Sequence, residues 1–236
     1  MRLRGLPPEE RLQYFVFIGI SLTIVGLTGA AYSLDRLTFE QFIGDMNPLG
    51  PMILIVILGI ALMLYLDSRG WFSIWTKEDV KGVPFWLALA AVFALITVLI
   101  DIKFVLPEDI NVPLPESLLY YPSMGFAAEV LFHLLPITLI LFALTSHFGD
   151  KGLKKNTWVC ILAVAIVEPL FQIVVGVSEP QPLWTSVFLG LNLYFFSLSQ
   201  LIVFKRYGFV WMYGMRLVYY VLWHIVWGYY RLDILF

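Results

Sequence analysis

Two five-residue phrases inside apolar stretches carry the groups in this chain best suited to chemistry: Glu129-Val-Leu-Phe-His133 and Glu168-Pro-Leu-Phe-Gln172. Each sets a carboxylate and a second polar group one helical turn apart, on one face of a helix. A third apolar stretch adds His224. Two carboxylates and two imidazoles can draw a proton from water and so support general-base hydrolysis. The same four residues, Glu129, His133, Glu168 and His224, offer nitrogen and carboxylate donors to zinc or another divalent metal. The His-Glu-x-x-His pattern of helical zinc hydrolases is missing, so the metal reading rests on residue types alone.

Placement gives these groups their weight. An ionisable side chain at mid-bilayer costs about 2.5 to 3.5 kcal/mol on insertion scales, and is retained where it faces protein or a wet cavity. Taken singly, each has a plain packing explanation. His133 and Glu168 can pair to hold two helices together, and Asn192 and Gln200 can bridge helices as amides do. Arg216 can snorkel to the cytoplasmic end of its span. Glu129, His133, Glu168 and His224 together point to a functional cavity.

The elements that must position them are membrane spans. The chain is 236 residues long, 60% hydrophobic and 14% charged, with a net charge of −2. A soluble domain would be about a quarter charged. One polytopic, all-α domain over 1–236 is expected. Its seven transmembrane helices fall at 13–34, 49–66, 84–105, 122–146, 157–178, 183–204 and 209–230, and the last four build the site. The run after Arg2, Arg4 and Arg11 is long enough to span, which makes it a retained first helix rather than a signal peptide. Pro84, Pro122 and Pro182 sit at or near helix starts, and Pro136 and Pro169 fall inside spans, where they should kink them.

Lys and Arg gather at the N-terminus and in alternate loops (Arg69, Lys77, Lys81; Lys151, Lys154, Lys155; Lys205, Arg206). That pattern puts the N-terminus in the cytoplasm and the C-terminus outside; the membrane is expected to be a prokaryotic cytoplasmic one. The composition offers no basic patch for nucleic acid. Cys160 is the sole cysteine, so a disulfide framework and a thiolate metal site are both excluded. The last span has no lysine for a retinal Schiff base.

On this orientation Glu129 lies roughly 10 Å below the outer face, level with Gln172. His133 is then level with Glu168, and His224 and Asn192 join the same outer layer. The set resembles the CPBP family of intramembrane peptidases, which includes CAAX prenyl endopeptidases and bacteriocin-processing proteins. That family carries Glu-Glu-x-x-x-Arg, Phe-x-x-x-His and His-x-x-x-Asn or Asp on separate helices. Ala128-Glu129 to His133 resembles the first motif, Glu168 to Gln172 stands at the second, and His224 to Gly228 resembles the third. Ala128 replaces the first glutamate, His133 the arginine, Gln172 the second-motif histidine and Gly228 the final amide or acid.

The resemblance implies an intramembrane endopeptidase, or a non-catalytic relative, acting on hydrophobic or membrane-embedded peptides. Glu129 and Glu168 would be its bases and His224 its oxyanion donor, with His133, Gln172 and Asn192 in support. The alternative class is a small transporter or proton-coupled carrier, for which buried Glu and His relays are equally natural.

Overall fold

The computed structural model describes residues 8–76, 80–148, 153–174 and 183–236. Arg2, Arg4, Lys77, Lys151, Pro182 and the stretch 175–178 of the expected fifth helix lie outside the described residues. Among the described residues all regular structure is helical. Seven helices are long and apolar enough to cross a membrane: Arg11–Leu34, Leu49–Ser68, Val80–Phe104, Ser117–His147, Thr157–Val174, Leu183–Tyr207 and Phe209–Leu235, hereafter spans one to seven. This is an integral membrane protein of seven apolar helices.

Span seven packs on spans three, four and six, span one on spans two and four, and the second half of span five on span six. The core is aromatic, with Phe126, Phe196, Phe204 and Phe209 fully buried. Outward-facing apolar side chains such as Phe15, Leu54, Phe85, Leu99 and Leu139 are exposed on the bundle surface, which is the surface that lipid tails cover.

Two spans differ from expectation in ways that move the site. Span four starts at Ser117, whose N–H bonds Pro113 O at 2.9 Å, so Pro122 lies inside the helix and not at its start. The proline removes the N–H that would bond Leu118, a local loss that the rest of the turn tolerates. Span seven runs on to Leu235 and so takes in Arg231, which the sequence had placed in a tail.

The other internal prolines fall where a helix restarts. Span four passes through a π-helical turn, Glu129–Leu134, in which Leu135 N bonds Val130 O, and Pro136 follows in the next turn. Span five breaks after Val164 and resumes at Val167, placing Pro169 in a fresh first turn where few N–H groups have helical partners. A second π turn, Val221–Trp227, interrupts span seven.

The turn between spans six and seven is pinned by backbone. Phe209 N bonds Ser73 O at 3.1 Å, Val210 N bonds Ile74 O at 3.0 Å and Thr76 N bonds Tyr207 O at 3.0 Å. Gly208 sits at φ 98°, and a Cβ there would lie 2.5 Å from Trp75 Cα and 2.6 Å from Ile74 O. Gly208→Ala should therefore lose roughly 1 to 3 kcal/mol through backbone strain. Gly214→Ala, whose Cβ would meet nothing nearer than Leu87 Cδ2 at 3.9 Å, should be nearly neutral. Thermal unfolding in detergent compares the two, and equal losses would show that the turn is not tight.

Candidate functional site

Small residues ahead of the first π turn bring spans four and seven close. A Cβ on Gly125 would stand 3.4 Å from Arg216 Cδ and 3.5 Å from its Cγ, so the arginine stem lies along the glycine. The guanidinium then ends between the two carboxylates. Arg216 Nε donates to Glu129 Oε1 at 2.6 Å, Nη1 to Glu168 Oε1 at 2.6 Å and Nη2 to Glu168 Oε2 at 2.7 Å. Nη2 also donates to Gln200 Oε1 at 3.0 Å and Nη1 to Tyr220 Oη at 3.4 Å. All five N–H groups of a guanidinium thus have recipients. The Phe196 and Tyr220 rings flank its carbon at 5.7 and 5.6 Å, within cation–π range.

The remaining polar atoms close the cluster. Gln200 Nε2 donates to Glu129 Oε1 at 2.5 Å and to Met212 O at 3.3 Å. His133 Nδ1 lies 2.5 Å from Glu129 Oε2, and its Nε2 lies 2.7 Å from Ser197 Oγ and 3.9 Å from Glu168 Oε2. Glu129, His133, Ser197 and Gln200 are fully buried, and Glu168 and Arg216 are 1% exposed. Spans four, five, six and seven each contribute, and fixed dipoles replace the water that these charges would otherwise need.

The structure brings together Glu129, His133 and Glu168 from the expected set. His224 lies elsewhere, eight residues beyond Arg216 and so about 12 Å further along the helix. Its Nδ1 meets Asn111 Oδ1 at 2.7 Å and its ring stacks on Tyr121 at 4.4 Å. Gln172 is exposed on the bundle surface. Asn192 belongs to a separate knot, donating to Phe93 O at 3.1 Å and Thr97 Oγ1 at 2.9 Å. The expected single layer fails for a simple reason. Starting span four at Ser117 instead of 122 lowers Glu129 by five residues, about 7.5 Å, away from Gln172 and His224 and onto Arg216.

Arg216 is also the residue that sequence reasoning misplaced. It does not snorkel; it is the counter-ion of both glutamates. The signal was present, because two carboxylates in facing spans require a cation and no other Lys or Arg lies so far inside spans four to seven. Ser197 carried no signal beyond being a small polar residue on span six.

A metal does not fit this donor set. The guanidinium stands where a cation would sit between the carboxylates, and each imidazole nitrogen of His133 faces a hydrogen-bonding partner. His224 is too remote to complete the shell, and among the described residues no group of three or more His, Cys, Asp or Glu is arranged to hold a metal.

Two further features lie outside the cluster. Gly228, one turn after His224, is where Asn111 packs: a Cβ there would be 3.1 Å from Asn111 Cγ. The loop asparagine thus fills the space that a side chain at 228 would take. On the bundle surface, spans three and six leave an apolar groove of about 600 Å³ lined by Phe85, Phe93, Ile100, Phe188, Asn192 and Ile202. No protein-family model, curated protein or solved structure matches the chain.

Proposed function

We propose that this chain is a non-hydrolytic relative of the CPBP intramembrane peptidases that binds a membrane-embedded apolar peptide. One observation carries the reading. Every group that hydrolysis would call on is already held by the protein: both carboxylates by Arg216, both His133 nitrogens by Glu129 and Ser197. An attacking water would need a free base and an oxyanion donor within about 3 Å of one carbonyl, whereas His224 is bonded to Asn111 two turns away. The order of the Glu129, Glu168 and His224 phrases along spans four, five and seven supports kinship in helix arrangement. Their chemistry supports a scaffold whose charges lock four helices. The groove between spans three and six is open to the bundle surface and lined almost wholly by apolar side chains, which suits an apolar peptide helix laid along it. The loop charges favour an orientation with the N-terminus inside.

The test uses the protein in liposomes with a library of fluorogenic transmembrane peptides, and a photoreactive residue in place of Ile96 on the groove. No cleavage is expected, together with crosslinks from position 96 to peptide. Cleavage abolished by Glu129→Gln would overturn the non-hydrolytic reading. Crosslinks to lipid alone would overturn the peptide.

A further inference from the structure

The groove between spans three and six contains a hydrogen-bond acceptor that the protein leaves open. Asn192 lines the groove and is 6% exposed. Its Nδ2 donates to Phe93 O at 3.1 Å and to Thr97 Oγ1 at 2.9 Å. The first partner fixes which way the amide faces, because a backbone carbonyl can only accept. Thr97 Oγ1 lies in turn 2.8 Å from Tyr219 Oη, so spans three, six and seven together hold the amide in one orientation. Oδ1 therefore turns away from Phe93 and toward the groove. It accepts no bond from the described residues, and it is not one of the polar atoms that they enclose without a partner.

Depth makes that acceptor costly to leave unmet. Asn192 lies about 13 Å along span six from Leu183 and about 22 Å from Tyr207. Both distances put it within the hydrocarbon, where no water is at hand to satisfy a carbonyl oxygen. Lipid tails carry no donor, and the donors of lipid headgroups stay at the surface.

The shape of the groove selects what can supply one. It follows span three from Phe85 to Ile100 and span six from Phe188 to Ile202, about 20 Å along each. Its lining is apolar and aromatic apart from Asn192 and Ser199, and the Ser199 hydroxyl already donates to Phe195 O at 2.8 Å. A slot of that length suits a helix lying along it. The backbone N–H groups of such a helix are spent on its own carbonyls, so the donor has to come from a side chain.

We propose that Asn192 Oδ1 determines the specificity of the groove, whose occupant is a transmembrane helix with one Asn, Gln, Ser or Thr at the level of Asn192 and apolar residues on either side. This rests on the reading of the groove as a peptide site and names which peptides it takes. The amide sets register as well as composition. A donor one turn higher or lower along the occupant faces Phe188 or Phe195 and loses the bond.

The experiment measures energy transfer in liposomes between labelled protein and a dilute, labelled polyleucine transmembrane peptide. A single Asn is stepped along the peptide, residue by residue. At one level the Asn peptide should bind about 3- to 30-fold more tightly than the all-leucine parent, the range for a hydrogen bond between membrane helices. That advantage should vanish in Asn192→Leu, which keeps the groove apolar and still binds the parent. If Asn192→Leu does not fold, the stepped series on the wild type decides alone. Equal binding of parent and Asn peptides at every level would overturn the acceptor and leave the peptide site standing. An advantage that survives Asn192→Leu would overturn it too. Binding of no peptide at all would overturn the peptide site, and this inference with it.

Discussion

Replacing Arg216 by methionine should cost roughly 3 to 5 kcal/mol of stability, because it strands two carboxylates in the bundle with no counter-charge. The methionine stem would still lie along Gly125, so lost packing is the smaller part of the change. Thermal or denaturant unfolding in micelles reads the loss. The informative companion is the triple variant Glu129→Gln, Glu168→Gln, Arg216→Met. Removing all three charges together should recover most of the stability, since neutral groups of similar shape escape the desolvation cost. A triple variant no more stable than the single one would show that the helices depend on the specific bonds to Arg216 and not on charge balance.

The second large effect is expected at the other end of span seven. Arg231 is fully buried and donates through Nε and Nη2 to Asp101 at 2.8 and 3.0 Å. Its remaining N–H groups reach the carbonyls of Leu106, Pro107 and Glu108 at 2.8, 3.0 and 3.0 Å. Asp101 in turn accepts from Trp227 Nε1 at 2.6 Å and Leu106 N at 2.8 Å. Arg231→Met should again cost roughly 3 to 5 kcal/mol, because it leaves a buried aspartate without its counter-ion and takes a donor from three carbonyls, of which Pro107 O keeps Ile110 N. It differs from Arg216→Met in where the damage spreads. Amide hydrogen exchange should quicken through the segment after Leu106, which Arg231 ties to the bundle, while the Glu129 cluster stays protected. Uniform loss of protection would show that the two arginines hold one cooperative unit.

The span count was legible because it depends on apolar length, which composition records directly. The partners in the cluster were less so, because they depend on helix phase and on where each helix starts. Reading Pro122 as a helix start displaced Glu129 by more than a turn, and that one shift was enough to pair it with Gln172 in place of Arg216. Gln172 and Glu168 lie one turn apart on a short helix, yet one is exposed and the other buried. Spacing alone left both on the same face, and it could not show that Arg216 packs over Glu168 while the next turn of that face opens to the surface. Arg231 escaped notice for a similar reason: a charge near a chain end reads as solvated unless a buried partner, here Asp101, is known to face it.

The two π turns have a genetic consequence. A π turn behaves as one residue inserted into an α-helix, and losing a residue there would let the helix anneal. Deleting the single codon for lipid-facing Leu131 would remove little from the core and would leave the helix on either side close to its present orientation, because the wide turn already absorbs the extra residue. Glu129 and His133 would then stand three residues apart in place of four, which alters the geometry of their bond although every residue of the cluster would survive in the gene. A lineage of such proteins would therefore show single-residue length changes at Glu129–Leu134 and Val221–Trp227 before it showed them elsewhere in spans four and seven.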